Sequence, residues 1–166
     1  MFRTKKLTKV LFIIYSITLF WILLFKLGVR FSYMEKRSVN LIPFSDKIDL
    51  SEIILNVVIF VPLGIYAGVL FNRWTSGTKF LFFFFISLMF EGLQFILRVG
   101  AFDTTDIITN TLGGIIGLII FEAIEKVFNN RIKAEKFINI IAAIGTVVMI
   151  SMLFLLKMNM LPVRYQ

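Results

Sequence analysis

The chain of 166 residues contains no cysteine and no histidine. Without cysteine it has no disulfide, no thiolate nucleophile and no cysteine ligand for zinc or an iron–sulfur cluster. Without histidine it lacks the commonest general base and metal-binding imidazole. Any chemistry therefore depends on carboxylates, amides, hydroxyls, lysine, arginine or a metal held by oxygen atoms. The sequence shows no evident cofactor site and no established metal-binding motif.

Charged residues are also scarce, at 17% of the chain, whereas 58% of the residues are hydrophobic and the mean hydropathy is +0.90. An average globular protein has about 25% charged and about 45–50% apolar residues. A soluble chain of this length buries only about 70% of its surface, so it could not hide this much apolar side chain. The composition predicts an all-α integral membrane protein that lies in the lipid bilayer.

Five apolar stretches approach the length of about 20 residues that a membrane-spanning helix needs. They lie at residues 10–25, 53–71, 80–97, 107–121 and 137–156. They predict a bundle of about five transmembrane helices that forms one membrane domain over residues 1–166. The fourth stretch is short, but an amphipathic continuation through Val127 and Phe128 extends it. The first stretch follows basic residues like a signal peptide, yet no small-residue cleavage site follows, so we expect an uncleaved helix.

The net charge of +8 would suggest a nucleic-acid partner in a soluble protein. In a membrane protein, lysine and arginine instead collect in the cytoplasmic loops. With the N-terminus inside, ten of the 18 basic residues fall on the cytoplasmic side and eight outside. The distribution predicts a cytoplasmic N-terminus, an extracytoplasmic C-terminus and no nucleic-acid partner.

Polar residues recur at helical intervals on three of the predicted helices, although polar groups are costly inside a bilayer. They are Glu52 and Asn56 on the second helix, Glu91, Gln94 and Arg98 on the third, and Asp103, Asp106 and Asn110 on the fourth. Spacings of three, four and seven residues place each set on one helix face. At a rise of about 1.5 Å per residue, the three sets reach matching depths in the outer half of the membrane. The spacing therefore predicts one polar pocket, with Gly113 opposite Glu91.

Four motifs, in their order along the chain, resemble the VanZ-like family. They read RSVNLIPF at 37–44, NVVIFVPLG at 56–64, EGLQFILR at 91–98 and DTTDIITNTLGGIIG at 103–117. The resemblance covers residues 37–121, and the predicted helix at 137–156 lies outside it. The family takes its name from a teicoplanin-resistance protein of bacterial glycopeptide-resistance clusters. The resemblance therefore implies a bacterial multi-pass membrane protein of the cell envelope that is linked to glycopeptide resistance, and it supplies no catalytic mechanism.

Nine residues are predicted to bind a ligand, and the loop from Arg37 to Phe44 is expected to cover them. The nine are Arg37, Asn40, Asn56, Glu91, Gln94, Arg98, Asp103, Asp106 and Asn110. Among them Glu91 is the candidate acid or base, because an ionisable residue inside a membrane is a functional candidate. The two arginines are expected to hold a phosphate or carboxylate.

Each of these features also has a purely structural interpretation. Asp103 has the position of a helix N-cap. The amides of Asn56, Gln94 and Asn110 could join helices through hydrogen bonds. The pairs Gly64–Gly68 and Gly113–Gly117 have the GxxxG spacing that allows two helices to pack closely.

Three kinds of function remain open. In the first, the protein is not an enzyme and binds a lipid-linked wall precursor, a lipid head group or the glycopeptide itself. In the second, Glu91, Asp103 and Asp106 hold Mg²⁺ or Mn²⁺ for an enzyme that acts on a lipid phosphate or wall precursor. In the third, a small lipid or solute transporter uses a second helix broken near Pro62 and Gly64. Binding is favoured because no activated nucleophile is visible, and the oligomeric state is left open.

Overall fold

Five long helices and two short paired strands form the part of the protein that the computed structural model describes, residues 2–25, 38–44 and 50–157. The elements in order are α1 (Phe2–Phe25), β1 (Val39–Asn40), α2 (Leu50–Leu70), α3 (Ser76–Leu97), β2 (Phe102–Asp103), α4 (Thr104–Phe128) and α5 (Arg131–Lys157). All five helices are long and apolar enough to cross a membrane. The predicted all-α membrane bundle is confirmed.

The ends of α3 and α4 are set by local capping. Thr75 caps the start of α3 by accepting a hydrogen bond from the backbone N–H of Thr78, and Asp103 caps α4 in the same way through Thr105. Arg98 and Asn129, in the left-handed conformation, end the two helices. The fourth helix therefore includes the amphipathic continuation that the sequence predicted.

The pair α2 and α4 packs through glycine. A Cβ atom on Gly64 would overlap the carbonyl oxygen of Gly114, and one on Gly117 would overlap that of Val61. Only glycine permits two helix backbones to come this close. The close packing expected from the GxxxG pairs is confirmed. Gly113, however, faces the Val57 carbonyl on α2 and not Glu91, so the expected pairing of Gly113 with Glu91 was wrong.

A core of apolar side chains joins the first three helices. It consists of Leu19, Leu23, Phe60, Leu63, Ala67, Phe83 and Phe90. Many other large apolar side chains point outward, such as Ile17 and Val147, each 64% exposed. An apolar outer surface of this extent is unstable in water and is satisfied by lipid.

At the end of the bundle where α1 and α5 begin, a buried polar cluster joins the two helices. The hydroxyl of Thr8 lies 3.1 Å from Glu135 Oε1 and 3.0 Å from Asn139 Oδ1. Nearby, Arg131 donates from Nη2 to the Gly68 carbonyl at 2.8 Å, which satisfies a carbonyl in the last turn of α2. These contacts hold α1, α2 and α5 together at that end.

The two strands lie at the opposite end and pair in parallel, Val39 with Phe102 and Asn40 with Asp103. No strand was predicted for residues 30–52, because a pair of two-residue strands has no periodic pattern. The pairing instead depends on a segment about sixty residues further along the chain. The backbone N–H of Phe102 in that segment donates to the carbonyl of Ser38 at 3.0 Å. Residues 38–44 therefore run over the start of α4.

Candidate functional site

A cavity of about 520 Å³ lies at the end of the bundle where α2 and α4 begin and α3 ends. We call it the polar cavity. It is lined by Ile22, Leu23, Ser51, Glu52, Leu55, Asn56, Ile59, Glu91, Gln94, Gly100, Ala101, Asp103, Asp106 and Asn110. Four helices and the connection between α3 and α4 contribute to its walls.

Glu91 is the most deeply buried acid of the polar cavity, with 1% of its surface exposed. Its Oε2 atom accepts a hydrogen bond from the backbone N–H of Asp103 at 3.0 Å. A buried carboxylate needs such donors to offset the loss of water. Glu91 thus ties the last turns of α3 to the first residue before α4.

Asp103 holds three parts of the site together. Its Oδ1 atom accepts from Thr105 N at 2.6 Å as the N-cap of α4, and its Oδ2 atom accepts from Asn40 Nδ2 at 3.1 Å. The capping role that the sequence allowed is therefore confirmed. The Thr104 hydroxyl also donates to the Asn40 carbonyl at 3.1 Å, so Asn40 is fixed to this helix start at both its side chain and its backbone.

Two further amides connect helices across the cavity. Asn56 donates from Nδ2 to Asp106 Oδ1 at 2.7 Å, which joins α2 to α4. Gln94 donates from Nε2 to the carbonyl of Leu23 at 2.9 Å, which joins α3 to α1. Both amides therefore carry the structural role that the sequence left open, while their side chains also line the cavity.

Asn110 differs from Asn56 and Gln94 because the oxygen of its side-chain amide is buried without a hydrogen-bond partner. Its Nδ2 atom donates to the Ser87 hydroxyl at 3.0 Å, whereas its buried Oδ1 atom has no hydrogen-bond partner. In this orientation the nitrogen is the bonded end, so the unpartnered atom is a hydrogen-bond acceptor. The residue is 1% exposed and borders the polar cavity. An orphaned polar atom of this kind costs about 1–3 kcal/mol.

The structure brings most of the predicted binding residues together. Six of the nine line the polar cavity, namely Asn56, Glu91, Gln94, Asp103, Asp106 and Asn110. Asn40 is joined to the cavity through its hydrogen bond to Asp103. Polar residues of three helices therefore line one cavity, as their helical spacing predicted, while their depth in the membrane stays a prediction.

The two arginines stand apart from this group. Arg98 has a left-handed backbone with φ of 58° and an exposed side chain, and it does not line the polar cavity. Because the helix ends at Leu97, Arg98 leaves the face that Glu91 and Gln94 share. Arg37 lies outside the described residues. No lysine or arginine of the described chain lines the cavity, so a cationic contact to phosphate stays a prediction.

Sequence reasoning missed Ser87, the hydrogen-bond partner of Asn110. A signal was present, because Ser87, Glu91 and Gln94 have the spacing of one helix face. It also missed Gly100 and Ala101, which line the cavity from the connection between α3 and α4. No periodic pattern marks residues of such a connection. Within the described ranges, no three acidic side chains are grouped so as to hold a metal ion.

These features define a class of protein, a multi-pass membrane protein with a polar cavity at one end of a helical bundle. The VanZ/LLP1 family model matches residues 12–129. A stretch of 153 residues is 38% identical to Protein VanZ of Enterococcus faecium and covers 90% of this chain and 92% of that relative. The chain therefore belongs to the VanZ family. No solved structure matches it.

Proposed function

We propose that this protein lowers the susceptibility of bacteria to teicoplanin-type glycopeptides by binding a ligand of the cell envelope in the polar cavity. The observation that carries the proposal is that six predicted polar residues of four elements, α2, α3, β2 and α4, line a single cavity. Its volume of about 520 Å³ lies within the range of about 300–1,000 Å³ for small-molecule sites. The similarity to Protein VanZ connects the chain to this kind of resistance.

Asn110 supports a ligand-binding role over a purely structural one. Hydrogen bonds between helices account for the amide nitrogens of Asn56 and Gln94. They also account for the amide nitrogen of Asn110, but the oxygen of that amide is buried and has no partner. In a membrane no bulk water reaches such an atom. A ligand with a hydrogen-bond donor would satisfy it.

The other two functions receive less support. A metal-assisted enzyme needs Glu91, Asp103 and Asp106 to converge as oxygen ligands, and the described part of the chain contains no such group. A transporter was expected to have a broken second helix. Instead, α2 continues from Leu50 to Leu70 with Pro62 inside it. Binding without turnover is therefore the function that the geometry favours.

The proposal requires the polar cavity to face the outside of the cell, with the N-terminus inside. Because the chain contains no native cysteine, single-cysteine variants report topology cleanly. We expect Ser38→Cys, next to the cavity, to react with a membrane-impermeant maleimide on intact cells. Lys126→Cys, near the other end of α4, is expected to react only after lysis. If only Lys126→Cys reacts on intact cells, the topology is the opposite of the one predicted, and the polar cavity does not face the outside of the cell.

Susceptibility to teicoplanin tests the role of the polar cavity. We expect Glu91→Gln to reduce the protection that the wild-type protein gives to a susceptible host, because the variant replaces one oxygen of the buried carboxyl group by an amide nitrogen at nearly constant shape. Glu122→Gln makes the same chemical change at an exposed position of α4 away from the cavity. The measurement is the minimal inhibitory concentration at equal membrane levels of each protein. Equal protection by both variants would rule out Glu91 as part of the functional site.

A further inference from the structure

A second cavity, of about 490 Å³, lies beside the polar cavity among α1, α2, α4 and α5. We call it the apolar cavity. Leucine, isoleucine and methionine side chains form most of its wall, including Ile65, Ile138 and Met149. Its volume also falls in the range of about 300–1,000 Å³ that is typical of small-molecule sites. Nothing in the proposed function uses this space.

The two cavities meet at Ile22 of α1 and Ile59 of α2, because both residues line both cavities. Ile59 is nine residues after the start of α2, which places it about 14 Å along the helix. The apolar cavity continues beyond it to Tyr66, about 10 Å further. Polar and apolar spaces therefore follow each other along the bundle axis.

The apolar cavity offers a hydrocarbon chain few competing polar partners. The hydroxyl of Tyr15 donates to the Ile59 carbonyl at 2.7 Å, and Thr18 and Thr146 donate to carbonyls of their own helices at 3.0 and 2.7 Å. These hydroxyls are satisfied by the protein itself. On the outer side, Ile141 is 53% exposed, so this part of the wall faces the acyl chains of the bilayer. A lipid chain can enter there without crossing water.

We infer that the two cavities together bind one membrane lipid. Its head group carries hydrogen-bond donors and lies in the polar cavity against Asn110, and its acyl chain passes Ile22 and Ile59 into the apolar cavity. The inference rests on the proposed function for the polar cavity and names the class of ligand. The head group needs a hydrogen-bond donor because the buried oxygen of Asn110 has no partner. The head group is attached to an acyl chain because the two cavities share a wall at Ile22 and Ile59.

Photolabelling of the purified full-length protein in lipid nanodiscs tests this directly. The probe is monopalmitoyl glycerol, which has two hydroxyl donors, with a diazirine near the end of its acyl chain. We expect labels on α5 at Ala142, Gly145 and Met149. Unlabelled monopalmitoyl glycerol should compete for the site. Methyl palmitate, which lacks the donors, should compete about fivefold more weakly, which corresponds to one lost hydrogen bond. Glycerol, which lacks the acyl chain, should compete more weakly still, because it buries no apolar surface in the apolar cavity.

Three variants separate a bound lipid from ordinary bilayer contact. A Cβ atom on Gly145 or on Gly92 would meet nothing within 4 Å, so both positions accept a larger side chain. Gly145→Phe fills the apolar cavity and should remove the labels on α5, whereas Gly92→Phe, which borders neither cavity, should keep them. Asn110→Leu should lower labelling of α5 by about fivefold, although Asn110 does not line the apolar cavity.

Equal competition by methyl palmitate, or unchanged α5 labelling in Asn110→Leu, would overturn the inference. Displacement of the probe by added teicoplanin but not by unlabelled lipid would also overturn it, because the occupant would then be the antibiotic. Failure of the inference is distinguishable from failure of the proposed function. If Glu91→Gln still reduces protection while labelling shows no linked cavities, the proposed function stands alone. If labelling links the cavities but Glu91→Gln protects fully, only the lipid site stands.

Discussion

Gly117→Leu is expected to prevent the protein from folding. A side chain at this position would run into the Val61 carbonyl on the neighbouring helix, and the Cα atom of Gly64 also lies close by. Backbone atoms cannot rotate away as a side chain can, so α2 and α4 would have to separate. Overpacking of a core costs about 1–3 kcal/mol, and more where the backbone itself blocks relaxation. We therefore expect loss of the monodisperse peak in size-exclusion chromatography in detergent.

Gly92→Leu is the matched control for this change. Gly92 is also a helical glycine, but a Cβ atom there would meet nothing within 4 Å. Removing a glycine from a helix interior stabilises it by up to about 1 kcal/mol. We expect this variant to elute and melt like the wild type or slightly better. Normal folding of both leucine variants would show that α2 and α4 do not need glycine contact.

Asn110→Leu is expected to raise thermal stability while it abolishes protection against teicoplanin. The wild-type side chain keeps one buried polar atom without a partner, at a cost of about 1–3 kcal/mol. The bond that leucine removes joins Asn110 to Ser87, and such bonds in membranes average about 0.6 kcal/mol. The gain therefore exceeds the loss. The adjoining cavity of about 520 Å³ leaves room for the larger side chain.

The companion variant Ser87→Ala separates the contribution of the bond between Asn110 and Ser87 from that of the Asn110 amide at the polar cavity. It removes the bond between α3 and α4 but leaves the amide of Asn110 beside the polar cavity. We expect a lower melting temperature, because the nitrogen of Asn110 then also lacks a partner at a cost of about 1–3 kcal/mol, and little change in protection. In Asn110→Leu, the Ser87 hydroxyl can donate to a backbone carbonyl one turn earlier in α3, so Ser87 is not left without a hydrogen-bond partner. A lower melting temperature in Asn110→Leu would show that Asn110 serves mainly to join helices.

The sequence predicted the helices well because each spanning segment is a long local pattern. The same helical spacing predicted that Glu91, Gln94, Asp106 and Asn110 would share one cavity. The same spacing wrongly placed Arg98 with these residues, because positions share a helix face only as long as the helix continues. The left-handed conformation at Arg98 ends α3 before that residue can join the face.

Other parts of the site depend on contacts between distant segments. Asn40 reaches Asp103 through a strand pair about sixty residues apart in the chain, and no local pattern marks such a pair. The error over Gly113 has a related cause. The helical rise gives only the position of Gly113 along the helix axis, and that position does not say which neighbour a helix face meets. In the structure that neighbour is the Val57 carbonyl of α2.

The most direct test of the binding role is the teicoplanin susceptibility of cells that contain equal membrane amounts of wild-type protein or Asn110→Leu. If the polar cavity binds the functional ligand through this amide, cells with Asn110→Leu will be as susceptible as cells with an empty vector. The purified variant will at the same time melt at or above the wild-type temperature. Wild-type protection by a well-folded Asn110→Leu protein would contradict the proposal that this cavity is the functional site.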